Sequence, residues 1–214
     1  MLDTSEDSPQ PGADSPASVA SVRRTRRAQN QRRAALEWVV AIVVAVVVAV
    51  IIKNWVAQTF VIPSASMRNT LLEGDRVMVS KLAYRFGDIS RGDVIVFHNP
   101  DCANQQSFCE YAQLIKRVVG VPGDQVTTVE GQLLVNGKAL PEPYLMPGSS
   151  TTMAGSCDRY GEGELVTVAA GTLLVMGDNR NSSKDGRCFG PVTFDSVIGR
   201  AELRVWPVNR IGGL

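Results

Sequence analysis

Hydrophobic residues fall into one long unbroken run near the N-terminus and several short runs after it. The long run, from Trp38 to Ile52, has fifteen residues without a charge. A membrane-spanning helix needs about 20 residues, and residues 34–37 and 55–57 extend the run on its two sides. A tryptophan near each end would lie at a membrane interface. The pattern predicts a single transmembrane anchor over residues 34–57.

The segment before the anchor is polar and then basic. Residues 3–20 are mostly Ser, Pro, Asp and Ala, which cannot bury enough surface to order a chain. Six arginines follow between residues 23 and 33. The positive-inside rule therefore predicts a disordered cytoplasmic tail over residues 1–33 and a domain on the other side of the cell membrane over residues 58–214.

Two alternatives exist for this N-terminal region. The arginines could form a nucleic-acid-binding arm, but they adjoin an apolar run rather than a reader fold, and the net charge of +1 adds no support. A cleaved signal peptide would need small residues at its cut site, where Trp55 stands two residues before Ala57. We expect a lipid bilayer as a partner and no nucleic acid.

The short apolar runs after residue 60 predict a mainly β fold. Gly-Asp pairs, which favour turns, precede the runs 76–79, 94–97 and 125–129, and no helical periodicity of useful length appears. Asn136-Gly137 between Val135 and Lys138 is typical of a tight hairpin. We expect antiparallel sheets over residues 58–214, with a smaller β insert at about 125–172.

The four cysteines fit an oxidising compartment. None of them has the C-x-x-C spacing of a zinc site, so we expect no metal and no cofactor. Disulfides are favoured outside the cytoplasm. We predict the pairs Cys102–Cys109 and Cys157–Cys188, and the alternative is four free buried thiols.

Ser66 and Lys116 are the candidate nucleophile and base. A serine nucleophile usually needs a base, and the chain has one histidine, His98, so a Ser/His/Asp triad is possible only through that residue. A Ser/Lys pair is the more economical choice. Apolar residues flank Lys116 on both sides, and burial lowers the pKa of an amine. These features predict a membrane-tethered Ser/Lys peptidase.

Several stretches, in this order, resemble the boxes of the bacterial type I signal peptidase family. They are Ile62–Met67 with Thr70-Leu71 and Gly74-Asp75, then Arg91–Phe97, Lys116–Asp124, Gly177–Arg187, and the ending Trp206–Gly212. The resemblance implies a signal-peptidase-like antiparallel β-sheet catalytic domain. It also implies an enzyme that removes N-terminal signal peptides from exported preproteins after small residues, in an Ala-x-Ala-like pattern.

The resemblance also implies residue roles. Ser66 matches the nucleophile and Lys116 the general base. Ser64 matches a hydroxyl of the oxyanion hole, and Ser183 a serine that hydrogen-bonds the lysine. Asp178, Arg180 and Asp185 match a supporting polar network. The chain departs from the common family pattern at Ala65, Asn69, Asn181, Ser182 and Gly186.

Apolar residues that flank the catalytic positions are candidates for the walls of shallow substrate pockets: Ile62, Pro63, Met67, Leu71, Leu114 and Ile115. A signal peptide would bind in an extended conformation and add a strand to an exposed sheet edge. Preprotein signal peptides are therefore the expected partners.

Two other functions remain open. A self-cleaving repressor or mutagenesis protein would use the same Ser/Lys chemistry on a related β fold, but the anchor and the missing DNA-binding helices argue against it. A non-enzymatic, single-pass β domain could bind partners at the cell surface. In that case the serines would be turn residues, Lys116 an edge-strand lysine, and Asp178 with Arg180 a surface ion pair.

Overall fold

The computed structural model describes residues 37–50, 57–103, 109–154, 157 and 159–214. The chain divides into two compact units, Met1–Ile51 and Ile52–Leu214. In the first unit, residues 37–50 form helix α1. No helix in the described residues is long and apolar enough to cross a membrane. The tail 1–33 and both ends of the predicted anchor, 34–36 and 51–56, lie outside the described residues.

The second unit is mainly antiparallel β structure, as the turn pattern predicts. Its strands in the described residues are β1 (Ala57–Val61), β2 (Arg76–Ser80), β3 (Val94–His98), β4 (Gln113–Gly120), β5 (Gln125–Val129), β6 (Gln132–Val135), β7 (Lys138–Ala139), β8 (Val166–Thr167), β9 (Thr172–Met176), β10 (Val192–Thr193), β11 (Val197–Trp206) and β12 (Gly212–Gly213). One-turn helices are α2 (Ala83–Phe86), α3 (Pro100–Ala103) and α4 (Gly186–Phe189).

These described strands form two sheets. The larger has eight strands in the order β1-β2-β11-β3-β4-β9-β10, with β12 against β11. The smaller has four strands in the order β7-β6-β5-β8 and contains residues between 125 and 167. Strand β2 from the start of the domain pairs with β11 from its end, in a register that joins Arg76 to Trp206. The large sheet therefore brings segments that are distant in sequence together.

The Asn-Gly pair forms the predicted hairpin between β6 and β7. Asn136 and Gly137 have φ values of 54° and 75°, and positive φ at both central residues is the requirement of a type I′ turn. Glycine has no steric penalty there and asparagine tolerates this region better than most residues.

Both predicted disulfides are present. Cys102 and Cys109 have Cα atoms 5.2 Å apart, and Cys157 and Cys188 have Cα atoms 5.1 Å apart. The first joins α3 to the segment that leads into β4, and the second joins the segment before β8 to α4. Each bridge therefore ties a connecting segment to a one-turn helix.

Candidate active site

Ser66 lies in a short 3₁₀ turn, Ala65–Met67, between β1 and β2. The Met67 side chain is fully buried in the core beside β1 and β2, and this packing anchors the turn to the core. Asn179 holds it from the other side, because its side-chain amide donates to the Ala65 carbonyl at 3.1 Å and its backbone N–H donates to the Ser66 carbonyl at 3.1 Å. These contacts hold the backbone of Ser66 in place. The residue is only 8% exposed.

Asn69, one of the positions at which the chain departs from the pattern of the family that it resembles, lies just after this turn. Its φ is 85°, and a proline ring fixes φ near −65°. The turn of this chain therefore has a conformation that proline cannot adopt. The Asn69 side-chain amide donates to the Tyr144 carbonyl at 2.8 Å, which ties the turn to the segment after β7.

Lys116 lies in the middle of β4 and is 2% exposed. Its Nζ donates to Ser66 Oγ at 2.7 Å and to the Ile115 carbonyl at 3.0 Å. Burial lowers the pKa of Lys116 from 10.5 to about 8, and this effect outweighs the opposing charges of Asp185 and Asp178. A neutral amine that touches a serine hydroxyl can accept its proton.

The two other predicted serines have different surroundings. Ser64 Oγ lies 3.4 Å from Ser66 Oγ. Ser183 Oγ is buried and has no hydrogen-bond partner among the described residues, although the Asp185 carboxylate lies near it. The hydrogen bond from Ser183 to Lys116 that we expected is not formed, because the Lys116 amine points to Ser66 and the Ile115 carbonyl instead.

The supporting polar residues are buried rather than exposed, so the alternative of a surface Asp178–Arg180 pair is wrong. Asp178 accepts from Arg117 at 2.9 and 2.8 Å. Arg180 donates to Glu142 and to Thr151. The side chains of all four charged residues, Arg117, Asp178, Arg180 and Glu142, are less than 10% exposed, which makes their pairing necessary.

Asp185 forms a third buried pair. It accepts from the Arg187 guanidinium at 2.9 Å and from the Gly177 backbone N–H at 2.9 Å. Burial raises the pKa of Asp185, but the hydrogen bonds and charge of Arg187 outweigh it and hold this pKa below its usual value. Asp185 therefore stays ionised, and its hydrogen bond from the Gly177 N–H stabilises the loop after β9. Gly186 fits this loop because a Cβ there would lie 2.7 Å from the Val175 carbonyl.

Sequence reasoning missed several of these partners. The stretches that carry the family resemblance include Arg117, Asn179 and Arg187. The resemblance therefore pointed to these residues, but it did not indicate which groups they bind. Glu142 lies in Pro-Glu-Pro-Tyr, where no pattern of residues indicated a buried carboxylate. The neighbouring Tyr144 ring lies 4.0 Å from the Arg117 guanidinium and covers it.

Two clefts of about 340 Å³ each meet at Ser64, Ser66 and Lys116. The apolar cleft is lined on its own side by Phe60, Val61, Ile62, Pro63, Val96, Ala112, Gln113 and Ile115. The polar cleft is lined on its own side by Ala65, Asn99, Asp101, Ser182 and Lys184. Glu110, Tyr111 and Leu114 line both.

Four of the six predicted pocket residues line the apolar cleft: Ile62, Pro63, Leu114 and Ile115. The prediction is wrong for Met67 and Leu71, which are fully buried in the core and line neither cleft. Their apolar side chains belong to the core beneath the turn that carries Ser66. His98 is exposed at the end of β3 and also lines neither cleft, so it is not placed to act as a base for Ser66.

Comparison with known proteins agrees with the sequence resemblance. The family described as "Signal peptidase, peptidase S26" matches residues 35–206. A protein named "Signal peptidase I" from Leptolyngbya laminosa is 42% identical over 163 residues, which cover 76% of this chain and 75% of the relative. "Signal peptidase IB" from Staphylococcus aureus is 33% identical over 195 residues, which cover 83% of this chain and 93% of the relative.

A solved structure of a signal peptidase I from Enterococcus faecalis V583 is 28% identical and covers 53% of this chain and 97% of its own, with a TM-score of 0.41. This score is too low to add to the assignment, which rests on the family match and the relatives. The chain therefore belongs to the signal peptidase I enzymes of peptidase family S26.

Proposed function

We propose that this chain is a membrane-anchored serine endopeptidase that removes N-terminal signal peptides from exported preproteins. Ser66 is the nucleophile and Lys116 the general base. The observation that supports these roles is the 2.7 Å contact between Lys116 Nζ and Ser66 Oγ in a buried setting.

The reaction begins with proton transfer to Lys116. As Ser66 Oγ attacks the peptide carbonyl carbon, its proton moves to the neutral amine of Lys116. The carbonyl oxygen becomes an oxyanion, and Ser64 Oγ with the Ser66 backbone N–H are the proposed donors to it. Losing one such donor typically costs about 10²–10³ in rate.

The acyl-enzyme then forms and breaks. The C–N bond breaks as the Lys116 ammonium returns its proton to the leaving amine. A water molecule next gives a proton to neutral Lys116 and attacks the ester carbonyl, and Ser66 Oγ leaves with the returned proton. The Ile115 carbonyl, which accepts from Lys116 Nζ at 3.0 Å, keeps the amine directed at Ser66 throughout. In this proposal Ser183 helps to orient the Lys116 amine. The polar network of Asp178, Arg180 and Asp185 holds the surrounding loop in place.

The proposed preference for small residues before the cut comes from the family resemblance. The apolar cleft is where these residues would bind, because Ile62, Leu114 and Ile115 line it and offer contacts to short apolar side chains such as alanine. Edge strand β1 contributes Phe60 and Val61 to the same wall. An extended signal peptide could therefore pair with exposed backbone while it fills the cleft.

The anchor is proposed over residues 34–57, with residues 1–33 cytoplasmic and residues 58–214 extracytoplasmic. In helix α1 the large apolar side chains are exposed, from 47% at Val48 to 72% at Trp38. A continuous apolar surface of this kind favours contact with lipid rather than with water. The bilayer would hold the peptidase domain where a preprotein emerges.

The test is cleavage of a purified preprotein, with an Ala-x-Ala site, by the full chain in detergent. Ser66→Ala and Lys116→Ala should give no product while they keep the far-UV circular dichroism of the wild type. Ser90→Ala and Lys138→Ala, which change exposed residues that line neither cleft, are the matched controls and should cleave normally. Substantial turnover by folded Lys116→Ala would reject the Ser/Lys assignment. Cutting of the chain itself but of no preprotein would favour the self-cleaving alternative.

A further inference from the structure

Cleavage of a peptide needs room on both sides of the scissile bond. The part before the bond becomes the acyl group on Ser66, and the part after it leaves as an amine. The two clefts meet at Ser64, Ser66 and Lys116 and extend away from this point in different surroundings. The acyl half of the proposed substrate ends in small residues and fits the apolar cleft. The polar cleft is therefore the space that remains for the leaving half.

Charged side chains line the polar cleft. Lys184, in the loop after β9, forms an ion pair with Asp101 of α3 at 2.7 Å. Glu110 also carries a charge, and it lines both clefts. Two carboxylates and the Lys184 ammonium give this wall one net negative charge while Lys116, which also lines it, is the neutral base.

Two hydrogen bonds and a disulfide connect the segments that form this wall. Asn99 Nδ2 donates to the Tyr111 carbonyl at 2.8 Å, and the Asn99 side-chain oxygen accepts from the Asp101 N–H at 3.1 Å. The Cys102–Cys109 disulfide closes the same segment. The backbone at Asp101 is therefore tied through Asn99 to the segment that leads into β4, and Glu110 lies between the bridged Cys109 and Tyr111.

We propose that the polar cleft binds the first residues after the scissile bond, and that Asp101, Glu110 and Lys184 determine which charges are accepted there. This inference rests on the proposed function. A cationic or neutral side chain fits the net negative wall, whereas an acidic one is repelled. The newly formed amine, once protonated, is a cation and is favoured by the same field.

The expected size of the effect is modest, because these side chains are partly exposed: Lys184 is 65% and Asp101 27% exposed. One such charge should change kcat/KM by about two- to five-fold, and added salt should reduce the change. Specificity at this cleft is thus graded, which suits an enzyme that processes preproteins with different mature sequences.

The experiment uses peptides with one Ala-x-Ala acyl half and with Lys, Gln or Glu at the first two positions after the bond. The measured quantity is the ratio of kcat/KM for the Lys peptide to that for the Glu peptide, in the full chain in detergent. The wild type should have a ratio above one. Glu110→Gln, which removes the net charge, should move the ratio towards one. Lys184→Gln, which leaves both carboxylates, should raise it by about two- to five-fold.

Two controls separate this inference from its alternatives. Asp195→Asn removes an exposed carboxylate that lines neither cleft, and its ratio should equal that of the wild type. A second peptide series has the same charges well before the bond, and its ratio should not respond to Glu110→Gln or Lys184→Gln. Equal ratios in all variants, or a response only in the second series, would overturn the inference. Failure of the wild type to cleave even the Gln peptide, or full cleavage by Ser66→Ala, would instead overturn the proposed function.

Discussion

Replacing Lys116 with methionine should stabilise the protein near neutral pH while it removes activity. The amine is 2% exposed, and burial lowers its pKa from 10.5 to about 8. Each pKa unit corresponds to about 1.36 kcal/mol, so folding costs the wild type about 3 kcal/mol wherever the amine is protonated in both states. That condition holds below pH 8. The cost disappears as pH rises from 8 to 10.5, because the amine becomes neutral in the folded and then in the unfolded chain.

Methionine has a similar length and no charge, so Lys116→Met removes this cost at every pH. It also removes hydrogen bonds to Ser66 Oγ and the Ile115 carbonyl, worth about 1 kcal/mol each at any pH. The change of the stability difference with pH therefore reports the Lys116 charge alone, because the loss of these hydrogen bonds is the same at every pH. The stability advantage of the variant over the wild type should fall by about 2 to 3 kcal/mol between pH 7 and pH 10.

Urea unfolding of the full chain in detergent, followed by far-UV circular dichroism at both pH values, measures this difference. The other ionisable groups are common to both proteins, so their contributions to the difference cancel. Lys138→Met, at an exposed lysine, is the matched control and should show no such change. An advantage of Lys116→Met that is the same at pH 7 and pH 10 would mean that burial does not depress the Lys116 pKa, and the physical basis of its role as base would be lost.

The other predictions concern activity, covalent structure and topology. The pH profile of kcat/KM should rise on the acid side with an apparent pKa of about 8, and a profile still rising above pH 10 would contradict a neutral Lys116. Ser183→Ala should lower kcat without abolishing it, since Ser66 and Lys116 stay in contact; complete loss in a folded variant would give Ser183 an essential role. Replacing Cys102 and Cys109 with alanine should cost about 2.5 kcal/mol of stability in urea unfolding, and unchanged stability would argue against the bridge. Protease added outside intact spheroplasts should digest residues 58–214 and spare residues 1–33, whereas digestion of the tail would reverse the topology.

Local patterns predicted the local structure well. The runs at 76–79, 94–97 and 125–129 lie in strands, as expected for short runs rich in β-branched residues that follow turn-forming Gly-Asp pairs. Asn136-Gly137 forms the expected hairpin turn, with positive φ at both residues. Those signals depend only on neighbouring residues. The sequence also indicated Ser66 and Lys116, because a serine nucleophile and a lysine with apolar neighbours have recognisable chemistry.

Tertiary partners could not be predicted in the same way. The pairing of Arg117 with Asp178 and of Arg180 with Glu142 depends on how distant segments cross, and no local pattern encodes that. The same limit explains why Met67 and Leu71 were assigned to a pocket wall. Apolar residues beside a nucleophile can face the substrate or the core, and only the packing of β1 and β2 over them decides which.

The pairing of β2 with β11 sets an order of events for the newly made enzyme. Arg204, near the end of β11, donates to the Thr70 carbonyl at 2.7 Å, so the last long strand of the domain holds the segment just after the Ser66 turn, near the start of the domain. Contacts between such distant residues form late in folding, because a long loop must close first. In the proposed topology, a chain whose β11 has not yet crossed the membrane therefore has Ser66 and Lys116 but not the strand pairing that fixes their contact. The proposal thus implies that proteolytic activity is withheld until synthesis and translocation of the domain are nearly complete.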